Sequence, residues 1–203
     1  MPQLATHQIR VAAVAHMIAD AFDEPLRIPN IVSACLLHDM GNILKFDLAR
    51  FPEFVEPEGR AHWEAVKASF TERYGPDEHI ATLRIAGEIG VSNLTFELIG
   101  AIGFTRALEN RASENFEKKI CCYADMRVAP HGIVSLADRL AEGKLRYAHK
   151  YPTEEDAQSF ELTAATLREM EKQIFSRTAI DPKDITDASA EKYFSALKTF
   201  SVI

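Results

Sequence analysis

Apolar residues return every three or four positions along most of the 203-residue chain, and no stretch alternates apolar and polar residues as a half-buried strand would. The chain therefore reads as all-α, a multi-helix bundle. A first helix is predicted over residues 6–22, with Thr6 as its N-cap and Ile9, Ala13 and Met17 on one stripe. A second, over 29–40, has Pro29 in its first turn and is apolar nearly all round, which predicts burial. Residues 41–59 hold Pro52 and Pro57 and read as a long loop carrying Phe46, Phe51 and Phe54. Further helices are predicted over 60–74, 76–89, 95–109, 113–128 and 133–148. Gly75-Pro76, Gly90 and Pro130-His131-Gly132 punctuate them. Gly100 and Gly103 fall inside the fifth helix, where they read as a close-packing contact. Thr153 and Asp156 form a capping-box-like pair that opens an eighth helix, with Phe160, Ala164, Leu167, Met170 and Ile174 as its stripe. A ninth runs over about 187–200. Residues 1–150 read as one domain and 151–203 as C-terminal helices packed on it.

The second helix ends in Leu36-Leu37-His38-Asp39-Met40-Gly41. An imidazole and a carboxylate stand side by side where the chain leaves a buried helix, and both are ligands for a borderline or hard divalent metal. Gly41 is expected to end that helix with a positive φ. His7 and Asp125 lie on other helices far off in sequence. Asp125 sits between Ala124 and Met126, where a buried carboxylate needs a partner: a metal, Arg10 or Arg127. Together His7, His38, Asp39 and Asp125 suggest a metal site assembled by folding, and metal-assisted hydrolysis. Arg127, two residues past Asp125, reads as a structural salt-bridge residue.

Composition narrows the classes. A net charge of −7 argues against a broad nucleic-acid footprint, while a dication with a few Lys or Arg can still make one pocket attractive to a small anion. There is no apolar run of transmembrane length and no basic start leading into a signal-like apolar segment, so a cytoplasmic protein is expected. Cys35, Cys121 and Cys122 are an odd number and read as reduced thiols, the last two as small buried apolar residues. No phosphate-binding glycine loop, dinucleotide fingerprint or nucleophile elbow is present.

Three segments in order carry a resemblance: Thr6-His7-Gln8-Ile9-Arg10-Val11-Ala12, then His38-Asp39-Met40-Gly41, then Tyr123-Ala124-Asp125-Met126-Arg127-Val128. With this order and spacing the chain resembles the HD-domain superfamily of metal-dependent phosphohydrolases over roughly residues 1–145. The resemblance implies an HD-domain bundle with a C-terminal helical extension. It implies His7, His38, Asp39 and Asp125 as ligands of a divalent metal (Mn, Fe, Co, Ni, Zn or Mg), with His38 and Asp39 at the catalytic centre. It makes His62 and His79 candidates for a second metal or a phosphate contact. Arg10, Lys45 and Phe46 are candidate substrate contacts. Many relatives carry a lysine three residues after the aspartate; this chain has Asn42 there, and Lys45 one turn on. The expected function is hydrolysis of a phosphomonoester or phosphodiester of a small molecule, with nucleotides the leading class. Two alternatives stand beside it: a catalytically degenerate HD module that binds a ligand, and a di-iron oxygenase, which would need His62 and His79 on a second ion.

Overall fold

The computed structural model describes residues 1–49 and 55–203. Phe51 and Phe54, in the middle of the expected loop, lie outside the described residues. The first helix, α1 (Pro2–Asp20), begins four residues earlier than its pattern suggests. Pro2 fits the first helical position, where a missing N–H costs nothing. Thr6 is therefore not the N-cap: it lies inside the helix and its hydroxyl donates to the Pro2 carbonyl at 3.0 Å. Val11 to Ala15 are all fully buried, so the middle of α1 is enclosed on every side. α2 (Ile28–Leu37), α7 (Phe116–Asp125) and α10 (Asp187–Leu197) pack against it.

α2 ends at Leu37 rather than Met40, and a 3-10 turn follows at Asn42–Lys45. Gly41 has φ −88, so the expected left-handed exit does not occur. Its glycine serves a close approach instead. A Cβ there would lie 2.2 Å from the Glu78 carbonyl oxygen and 2.9 Å from the Ala81 Cβ, on α4 (Glu78–Ile89). The Gly41 N–H donates to the Thr82 hydroxyl at 2.9 Å and fixes that contact.

α3 (Arg60–Tyr74) matches its predicted span and stops at Gly75, which has φ 85. The fifth predicted helix is two: α5 (Asn93–Ala101) and α6 (Ala107–Ala112), joined through a 3-10 turn at Phe104–Arg106. Gly103, at φ 145, makes the break, so it is not a mid-helix packing residue. α7 starts at Phe116, capped by the Asn115 side chain, and ends at Asp125. Beyond it Val128–Ala129 pairs antiparallel with Gly132–Ile133, a two-stranded hairpin too short to show alternation. α8 (Leu136–Arg146) is capped by Ser135 and α9 (Glu154–Phe175) by the Thr153–Asp156 capping box.

α9 lies against α6 and α7, and α10 against α1, so Leu167, Met170, Ile174, Ala190 and Leu197 share one core with Val11 and Ile18. Buried Arg127 ties these layers together without the carboxylate its reading called for. It donates to the Val134, Pro182 and Ile185 carbonyls and to the Tyr123 hydroxyl, and that hydroxyl donates to Glu171 at 2.6 Å. The three cysteines are buried free thiols. Among the described residues no helix is long and apolar enough to cross a membrane.

Candidate metal centre and adjoining cavity

Three helices deliver the four candidate ligands to one point. His7 projects from the second turn of α1, His38 and Asp39 follow the last turn of α2, and Asp125 is the last residue of α7. His7 Nε2 lies 3.1 Å from Asp125 Oδ1 and 3.5 Å from Asp39 Oδ2. His38 Nε2 lies 3.5 Å from Asp125 Oδ1 and 3.6 Å from Asp39 Oδ2. Ligand atoms of His7, His38 and Asp39 all fall within 4.8 Å of one another, and among the described residues this is the only such group of three or more His, Cys, Asp or Glu.

His38 is nearly fully buried, and its Nδ1 is 2.7 Å from the Cys35 carbonyl oxygen. A carbonyl only accepts, so Nδ1 carries a proton and Nε2 is the ring atom that faces the two carboxylates and is free to give its lone pair to a cation between them. Nε2 is buried and has no hydrogen-bond partner among the described residues. Burial pulls the His38 imidazole toward neutrality. The nearby negative charges of Asp39 and Asp125 and the Cys35 carbonyl outweigh it and hold the group at about 9. Asp125 is pushed the other way: burial would raise it, but His38 and His7 draw it well below the usual carboxylate range. Two imidazoles facing two anionic oxygens, with one ring nitrogen orphaned, is a donor set that fits a divalent cation.

A cavity of about 610 Å³ opens from the cluster, and a second of about 150 Å³ meets it from the other side. Asp39, Asn42, Lys45, Asp125, Arg139 and Tyr147 line both, so the cluster sits at the junction of two lobes. His79 and Arg106 line the larger lobe together with Phe104 and Tyr151. Burial, then the nearby Arg106 charge, lowers the His79 pKa, and its buried Nε2 has no partner among the described residues. Phe46 lines the smaller lobe, and its carbonyl accepts from Lys67 Nζ at 2.7 Å.

Two sequence candidates lie elsewhere. Arg10 lines neither lobe; its Nε donates to Asp187 Oδ1 at 3.1 Å and links α1 to α10. His62 is exposed on α3, edge-on to Trp63 at a centroid distance of 5.0 Å, and also lines neither lobe. Sequence reasoning missed Arg106, Arg139 and Tyr147. Nothing in their spacing along the chain points inward.

A family model described as HD domain matches residues 4–143 of the chain. No curated protein and no solved structure matches it.

Proposed function

The chain belongs to the HD domain family, a superfamily of metal-dependent phosphohydrolases, and on that footing we propose that it hydrolyses a phosphomonoester or phosphodiester of a small molecule, with nucleotides as the substrate class. The observation that carries this reading is the meeting of His7, His38, Asp39 and Asp125 at the junction of two cavity lobes. These four residues would hold the metal. When bound, a divalent metal supplies polarisation of a phosphoryl oxygen and an acidified water.

The chain's own residues supply the rest. The Cys35 carbonyl keeps the His38 ring in the tautomer that leaves Nε2 free. Lys45 offers positive charge beside Asp39 and Asp125, where a phosphate would otherwise meet two carboxylates. Phe104, Tyr147 and Tyr151 give the larger lobe flat apolar surface for a base or another ring. The lobe is of the size that holds a small ligand.

A ligand-binding module without catalysis is favoured by one observation: position 42, buried at the junction, is a neutral Asn. A di-iron oxygenase lacks that kind of support, because His62 stands on the exposed face of α3 and His79 on α4, away from any second ligand group among the described residues. The deciding experiment strips metal with a chelator, restores Mn, Co, Ni, Mg or Zn singly, and screens phosphate esters including nucleoside monophosphates and cyclic nucleotides. Metal-dependent release of phosphate or opening of a diester supports the reading. Tight ligand binding with no turnover under any metal refutes it in favour of the module.

A further inference from the structure

Arg139, on α8, lies in the wall of both lobes beside Asp39 and Asp125, yet neither family nor motif points to it. Its side chain is only 14% exposed. Nε donates to the Val128 carbonyl at 3.1 Å and Nη1 to Glu142 Oε2 at 3.0 Å. A guanidinium has five N–H groups, so two bonds leave three for a ligand, and no described residue takes Nη2. The other oxygen of Glu142 is held by Arg146, so one carboxylate serves two guanidinium groups and a positive charge is left over. Gly143, one turn on, leaves room for this arrangement: a Cβ there would sit 3.2 Å from Arg139 Nη1.

The junction holds one other cation, Lys45, which is exposed. A flexible ammonium adapts to an anion, whereas a braced guanidinium presents a fixed fork to two oxygens. The charge arithmetic points the same way. A dication among Asp39 and Asp125 leaves little net charge there, and an incoming phosphate monoester brings about two negative charges.

We propose that Arg139 is the phosphate-binding cation of this site, holding non-bridging oxygens of the phosphoryl group at the junction of the lobes. The proposal rests on the phosphohydrolase reading for its ligand class, but binding alone tests it. Inorganic phosphate is titrated calorimetrically into metal-loaded wild-type protein and into Arg139→Met and Arg139→Lys. Metal content, melting temperature and, on the best ester, kcat and KM are measured alongside. Arg139→Met is expected to keep its metal and to lose phosphate affinity by about tenfold or more, with kcat/KM down by about a hundredfold. Arg139→Lys falls between, and added guanidinium restores part of the activity of Arg139→Ala while leaving wild type unimproved.

Wild-type phosphate affinity in Arg139→Met, or no phosphate binding by metal-loaded wild type, overturns the proposal. If Arg139→Met unfolds or loses metal, the lysine variant decides. Weakened phosphate binding at wild-type melting temperature supports the role, and unchanged binding overturns it. Phosphate bound through Arg139 with no ester hydrolysed under any metal would sink the enzymatic reading and leave this one standing. Hydrolysis indifferent to Arg139 would do the reverse.

Discussion

The Nδ1–H of His38 donates to the carbonyl oxygen of Cys35, 2.7 Å away and one turn back along the chain. That bond orients the ring and leaves Nε2 as the atom that faces Asp39 and Asp125. In nitrogen-15 spectra of the protein, addition of a divalent metal is therefore expected to perturb His38 Nε2 and to leave Nδ1 protonated. A metal-induced loss of the Nδ1 proton would contradict this tautomer.

Gly41 sits where the chain after α2 meets the first turn of α4. Replacing it with Ala puts a methyl group 2.2 Å from the Glu78 carbonyl oxygen, an overlap that backbone atoms relieve only by moving apart. Gly41→Ala is expected to cost about 1–3 kcal/mol in urea unfolding. A variant as stable as wild type would mean that the two segments are not held together as described.

Arg127 is 2% exposed and spans the hairpin, the Tyr123 hydroxyl and the segment before α10. Arg127→Met keeps bulk but takes the donor from the carbonyls of Val134 and Ile185 and leaves that of Pro182 with the Ile185 N–H alone. The expected loss is about 3 kcal/mol or more, since each buried group left unsatisfied is costly. Tyr123→Phe, which breaks the link to Glu171 but leaves the carbonyl bonds intact, is expected to cost less. Equal stability of Arg127→Met and wild type would rule out this clamp.

His16, on the half-buried side of α1, packs on the Tyr193 ring of α10 at a centroid distance of 4.6 Å. Burial, the largest influence, lowers its pKa; Asp20 opposes this and Lys192 adds to it. The folded state thus favours the neutral imidazole, so the unfolded chain binds the proton more readily. Stability from this group is present above the unfolded value of 6.5 and is lost as pH falls below it. Urea unfolding of metal-free protein at a series of pH values should show this decline, and His16→Gln should make it shallower. An unaltered pH profile in the variant would remove His16 as a contributor.

What the sequence revealed and what it hid divide along local and non-local physics. The limits of α3 and the start of α9 were readable because Gly75 and the Thr153–Asp156 pair act within a turn of the boundary they set. The break at Gly103 was not, because apolar spacing continues across it and only the turn to φ 145 gives it away. Gly41 was recognised as special for the wrong reason: its neighbour is a carbonyl on a later helix, which no local rule supplies. The hairpin after α7 has two residues per strand, fewer than a period needs. At the site, His7, His38, Asp39 and Asp125 were readable from residue type and order, and folding brings them together. Arg10, a candidate substrate contact, is held instead by Asp187, a residue of α10 that the motif does not include. Arg139 and Arg106 reach the cavity only through the way α8 and the turn before α6 pack, so their inward placement had no signature along the chain.

The central claim is that His7, His38, Asp39 and Asp125 together hold a divalent metal. The most direct test is calorimetric titration of such an ion into chelator-stripped protein, comparing wild type with Asp125→Asn, which preserves size and removes charge. The account predicts one ion per chain in wild type, bound about tenfold or more weakly by the variant. Metal bound with wild-type affinity by Asp125→Asn, or no metal bound by wild type, would contradict it.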